Sequence, residues 1–168
     1  MSDHEKDMER KHRQLAGCVP VSADYTRCLL ITSRHFPNDF VFPKGGVKRG
    51  ESAEEAAVRE TWEECGAVGE LGEEILLFGE HVEGHLDENK QEEEDDDDDE
   101  VNEQEDKRKR RRPRWFILKV NQVYDDYPEK GQRLCQWFFV KQARHLPNLR
   151  PTTRRLLKYV YRRFVKPG

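Results

Sequence analysis

An α+β sandwich is the fold that this 168-residue sequence predicts, and three features carry it. Short apolar runs open the chain, a capped helix follows them, and a long amphipathic helix closes it. Strands first, a helix in the middle and a helix at the end give one sheet with helices to cover it. The length suits a single domain, residues 13–168, preceded by a charged and flexible N-terminus over residues 1–12.

The elements follow in order. LAGCVPVS (15–22) and RCLLITS (27–33) read as strands on either side of a turn at Ala23 and Asp24. DFVFPKGG reads as another short strand, stopped by Pro43 and a tight turn at Gly45 and Gly46. A helix is expected over residues 52–65. Ser52 and Glu55 have capping-box spacing at its start, and Gly66 is placed to stop it. EEILLFGEHV, WFILKV and LCQWFFV supply further strands. From Thr152 onward, Leu156, Val160 and Phe164 share a stripe with Leu157, Tyr161 and Val165, while arginines take the other side. That pattern describes a packed amphipathic helix.

Charge is divided unevenly. Residues 87–106 hold fourteen acidic residues and one lysine, a local charge of −13, so the rest of the chain carries +9 within a net charge of −4. Such a run cannot bury enough apolar surface to offset its ordering entropy, and a disordered acidic insertion between two strands is expected. The basic remainder suits polyanionic partners: polyphosphates first, with nucleic acid secondary. The tract KRKRRRPR that follows reads as a nuclear-localisation or nucleic-acid patch, or as substrate-binding charge. Cys18, Cys28, Cys65 and Cys135 follow no zinc-ligand spacing and read as reduced, packed thiols. No apolar run approaches the length of a membrane span, and a soluble, monomeric protein of the cytoplasm, and of the nucleus too, is the expectation.

The most informative stretch is PKGGVKRGESAEEAAVRETWEECG. At 100° per residue Glu60, Glu63 and Glu64 fall on one helix face, where like charges repel. Val58, Thr61, Trp62 and Cys65 are expected to pack inward on the opposite side, with Ala56 and Ala57 leaving open space above the glutamates. Clustered carboxylates relieve their repulsion best with a hard divalent cation.

The full spacing, Gly45, five residues, Glu51, seven residues, then Arg59-Glu60-Thr61-Trp62-Glu63-Glu64-Cys65-Gly66-Ala67, resembles the Nudix box. Every fixed position matches; Thr61 and Ala67 depart from the usual aliphatics at hydrophobic positions. The resemblance implies an α/β/α sandwich with a mixed sheet and metal-assisted phosphoanhydride hydrolysis using Mg²⁺, with Mn²⁺ as an alternative. It implies Glu60 and Glu64 as side-chain metal ligands, with the carbonyl of Lys44, or of Gly45, completing the site. The same resemblance implies Glu63 as the general base. Arg59 is expected to pair with Glu51 and hold the helix against the loop.

ITSRH, FPKGGVKRGE, RETWEECG and QWFFV further resemble the diphosphoinositol polyphosphate and diadenosine polyphosphate phosphohydrolases in their fungal form. By that resemblance Arg13, Ser33, Arg34, Lys44, Arg133 and Arg150 grip substrate phosphates, and Lys109, Arg110 and Arg111 fall in a basic loop. Arginine forks suit phosphate geometry. Two alternatives stand beside this reading: a Nudix enzyme for another nucleotide, such as an mRNA cap or oxidised nucleotide, and a module that binds inositol phosphate or nucleic acid without turnover. An aromatic base-stacking pair beside the cleft favours the first; loss of a catalytic glutamate is the mark of the second.

Overall fold

A computed structural model describes residues 2–6, 13–77 and 112–166 of the chain. The acidic run, Lys109, Arg110 and Arg111 lie outside the described residues. One helical turn at residues 3–6 is capped by Ser2. The elements then run β1 (Leu15–Val21), β2 (Arg27–Thr32), β3 (Phe40–Val41), β4 (Lys44–Gly46), α1 (Ala53–Cys65), β5 (Ala67–Ile75), β6 (Arg114–Val123), β7 (Cys135–Phe139), the short α2 (Val140–Ala143) and α3 (Pro151–Val160). A π-helical turn over Tyr161–Val165 extends α3.

The strands form one mixed sheet in the order β3-β2-β1-β6-β5, with β4 paired to β1 and β7 to β2. Among the described strands only β1 and β6 run parallel, Ala16 opposite Arg114 through Val21 opposite Lys119. Both faces of this central pair are covered, which explains apolar runs where a half-exposed strand would alternate. Successive side chains point to opposite faces. Ala16, Cys18, Phe116 and Leu118 meet Ala53, Ala56 and Ala57 of α1. Val19, Val21, Trp115 and Ile117 meet Leu156, Leu157 and Val160 of α3 on the other face. The result is an α/β/α sandwich within the α+β class. The terminal stripe packs as its periodicity requires: Tyr161, Phe164 and Val165 also rest on that second core. All four cysteines are free, and burial pushes the Cys18 and Cys28 thiols up to about 12.

Three sequence expectations are corrected. The fifth strand begins at Ala67, directly after α1, rather than near Glu73. Its first half is glycine-rich and polar, so only pairing with β6 makes it a strand; register shifts after Val68 and Leu71 absorb the mismatch. Gly45 and Gly46 form no tight turn. They sit inside β4, opposite Ala16 and Leu15 of β1, and neither has a positive φ. The turn comes later, where the Glu51 amide donates to the Lys48 carbonyl at 3.0 Å and Gly50 adopts φ 79°.

The third correction concerns the orientation of α1. Thr61 and Cys65 are buried as expected, but so are Ala56 and Ala57, at 0% exposure. Val58 is exposed and Trp62 half-buried, its ring edge-on to Tyr124 at 5.4 Å. The inward stripe therefore runs through the small alanines, which let the helix lie close to the sheet. Glu60 and Glu64 travel inward with that stripe instead of facing open water.

Candidate active site: a carboxylate helix clamped by one arginine

Local sequence sets the helix that carries the site. The Ser52 hydroxyl accepts the Glu55 amide at 3.0 Å, the Glu55 carboxylate accepts the Ser52 amide at 3.0 Å, and Gly66 closes the helix at φ 68°. Thr61 meets its buried position by donating its hydroxyl to the Ala57 carbonyl at 2.8 Å. Ala67 is buried against Leu29 and Ile31, where a small side chain suffices.

Arg59 organises the acidic residues. Its Nε and Nη2 form a two-pronged pair with Glu51, at 2.7 and 3.0 Å. Nη2 also donates to the Gly46 carbonyl at 2.9 Å, and Nη1 to Glu60 at 2.7 Å and Glu63 at 3.2 Å. One guanidinium thus ties Gly46 and Glu51 to Glu60 and Glu63 of α1. The hydrogen bonds from Arg59 hold the Glu51 carboxyl down at about 2, and the same partners push the arginine's own pKa up. The expected Glu51–Arg59 clamp is present.

Glu60 and Glu64 occupy a drier environment. Burial raises the Glu60 carboxyl, against the lowering pull of Arg59. Burial pushes Glu64 up to about 8, opposed mainly by the charge of Arg133. The Lys44 amide donates to the Glu64 carboxylate, yet Glu64 Oε2 is buried without a hydrogen-bond partner. Its nearest cation is Arg133 Nη1, at 3.6 Å. Glu63 is the more exposed glutamate, 30% at its side chain against 13% for Glu60 and 8% for Glu64.

The glycine pair acquires its reason here. A Cβ on Gly45 would collide with the Glu60 carboxyl group, and one on Gly46 with the Arg13 side chain. Arg13 Nε donates to the Val47 carbonyl at 3.0 Å, so Arg13 and Arg59 flank the β4 backbone. Among the described residues no three acidic, His or Cys side chains are arranged to hold a metal ion as they stand; Arg59 and Arg133 draw the carboxylates toward themselves. The donors nonetheless fit a hard cation. A buried carboxylate oxygen lacks a partner, and the Glu60 carboxylate is pressed against the backbone of Gly45.

The basic residues divide into groups. Arg133, 9% exposed at its side chain, stands beside Glu64, and Arg34 joins it through Glu129: Arg34 Nη2 lies 2.5 Å and Arg133 Nη2 3.8 Å from Glu129 Oε1. Arg150 instead clamps the β2–β3 loop, 3.5 Å from Asp39 and over the Phe36 ring at 4.5 Å. Ser33 is buried in that loop, its hydroxyl accepting the Phe36 amide at 3.2 Å. Glu129 was not singled out by its sequence, YPEKGQ, which carries only turn signals.

A sandwich whose central helix gathers glutamates against a glycine strand defines the class of domain. The NUDIX domain model matches residues 11–160, and the chain belongs to that family. It is 29% identical over 145 residues to Nudix hydrolase 4 of Arabidopsis thaliana, covering 80% of this chain and 59% of that one. Similarity to Nudix hydrolase 13, mitochondrial, of the same plant is 36% over 157 residues, 86% and 71% of the two chains. Diphosphoinositol polyphosphate phosphohydrolase 2 of Mus musculus is 26% identical over 117 residues, 68% of this chain and 51% of that one. The chain thus spans about three fifths of Nudix hydrolase 4 and half of the mouse protein. A solved chain from a study of MutT from Aliivibrio salmonicida and Vibrio cholerae shares the fold, with TM-score 0.51 and 18% identity over 89% of this chain and 96% of that one. Among the described residues no helix is long and apolar enough to cross a membrane.

Proposed function

We propose that this chain hydrolyses phosphoanhydride bonds with a divalent cation, Mg²⁺ or Mn²⁺, and acts as a monomer on highly phosphorylated small molecules. The observation that carries it is the Arg59 clamp, which sets Glu51, Glu60 and Glu63 about the Gly46 carbonyl beside the unpartnered oxygen of buried Glu64. Glu60, Glu64 and a backbone carbonyl of Lys44 or Gly45 would hold the cation. With it bound, charge on the phosphate oxygens is neutralised and the pKa of the attacking water falls. Glu63, the most accessible of the three, takes the proton from that water. The water oxygen forms a bond to phosphorus, the anhydride P–O bond breaks, and the leaving phosphate departs with the electron pair. Arg59 orients Glu63 and screens the repulsion among the acidic groups.

The preferred substrates are diphosphoinositol polyphosphates, with diadenosine polyphosphates and inorganic polyphosphate as further ones. Supporting this are the +9 charge outside the acidic run, the arginines near the glutamates, and similarity to a diphosphoinositol polyphosphate phosphohydrolase. A nucleotide substrate is the second reading. It is favoured by an open groove of about 560 Å³ lined by Val58, Trp62, Val68 and Leu71, which shares Arg59 with the carboxylate cluster. Phosphate release measured side by side on diphosphoinositol pentakisphosphate, diadenosine hexaphosphate and inorganic polyphosphate tests the proposal. Turnover of the inositol compound at the highest kcat/KM is expected. No Mg²⁺-dependent release from any of the three overturns it.

A further inference from the structure

The β6–β7 connection places a carboxylate where phosphate is expected. Glu129 is fixed to the catalytic helix by its own backbone: its amide donates to the Glu63 carbonyl at 2.9 Å, and its carbonyl accepts the Gln132 amide at 3.1 Å. Its side chain reaches Arg34 at 2.5 Å and Arg133 at 3.8 Å. Gln132 Oε1 accepts a further hydrogen bond from Arg34 Nη2 at 3.4 Å. Arg133 in turn faces Glu64. Arg133, beside Glu64, and Arg34 are thus bridged by the protein's own anion.

We propose that Glu129 is a specificity-determining residue, an internal competitor for the anion position between Arg34 and Arg133. This rests on the substrate reading above. A tethered carboxylate has a high effective concentration at that position. A phosphate that uses both arginines must displace it, and only an anion with several phosphates gains enough charge-assisted hydrogen bonds elsewhere to offset the loss. An anion that does not reach the arginine pair never meets the competitor. Glu129 therefore sets how many phosphates a ligand needs before it engages the arginine pair.

The test uses the full chain and inorganic tripolyphosphate, titrated calorimetrically in metal-free buffer. E129Q keeps the side-chain shape and the backbone anchor while removing the charge. It is expected to bind tripolyphosphate about tenfold tighter, a change of about 1.4 kcal/mol. In an R34A background the gain should shrink to about twofold or less, the signature of a coupled pair. Unchanged or weaker tripolyphosphate binding by E129Q overturns the proposal, as does a gain that survives R34A in full. In turnover of diadenosine hexaphosphate the gain should enter through KM. A fall in kcat with a higher Mg²⁺ requirement would instead place Glu129 in the chemical step and overturn it. Tripolyphosphate binding needs no turnover, so it decides the role of Glu129 even where the hydrolysis assays overturn the proposed function.

Discussion

The carboxyl group of Glu60 lies against the backbone of Gly45 so closely that no Cβ fits between them. Gly45→Ala is therefore expected to push Glu60 out of place, with a loss of hydrolysis of ~10²-fold or more and a stability cost of about 2 kcal/mol. Gly50 offers the contrast. Nothing lies within 4 Å of its missing Cβ, but its φ is 79°, so Gly50→Ala should cost about 1 kcal/mol through backbone strain and spare activity. Thermal melts paired with rate measurements check both variants; equal activity losses would refute the distinction.

Arg59 makes its geometry count through two prongs on Glu51 and single bonds to Gly46, Glu60 and Glu63. Arg59→Lys keeps the charge and loses the fork, and a drop in kcat of about 10- to 100-fold is expected. The pair also shapes acid stability. With the folded Glu51 carboxyl near 2 and an ordinary value of 4.5, its contribution is present above about 4.5 and is lost as pH falls toward 2. Glu51→Gln should flatten that acid limb in a series of melts, and an unaltered limb would count against the clamp.

Glu64 has the opposite sign. Its folded value near 8 lies above the ordinary 4.5, so in metal-free protein the fold keeps a proton that the unfolded chain gives up. Stability from this group is fully present below about 4.5 and is lost as pH rises through 8. In EDTA the wild type should melt several degrees lower near pH 8 than near pH 5, and Glu64→Gln should remove most of that difference. Glu60→Gln and Glu64→Gln should both abolish Mg²⁺-dependent hydrolysis with the fold intact. Near-normal turnover in either variant would rule out the proposed ligands.

Arg34 and Arg133 should separate on substitution. The Arg34 side chain is exposed, whereas that of Arg133 is largely enclosed beside Glu64. Arg34→Ala is expected to raise KM for an inositol pyrophosphate about tenfold, and for a dinucleotide less, with kcat little altered. Arg133→Ala also deprives Glu64 of its nearest cation, so kcat should fall with it. Steady-state kinetics on both substrates decide it; identical effects from the two substitutions would mean that burial beside Glu64 carries no weight.

Local chemistry made much of this protein readable from its sequence. The resemblance to the Nudix box supplied the Glu51–Arg59 pairing, while the capping box at Ser52 and Glu55, the Gly66 stop and the apolar stripe after Thr152 depend on neighbours one to a few turns apart. Spacing alone fixes such relationships, because a helix repeats every 3.6 residues. What only the tertiary structure decided depends on which surfaces meet. Helical periodicity put Glu60, Glu63 and Glu64 together but could not say which way that face turned. Close packing of Ala56 and Ala57 on β1 and β6 turned it inward and dried Glu64. Pairing with β1 made a strand of Gly45 and Gly46, and pairing with β6 made one of Ala67–Ile75. Glu129 reaches the site from sixty-six residues beyond Glu63, where a polar turn carries no mark of its partners. Contacts of that range come from the packing of the whole sheet, and no local pattern encodes them.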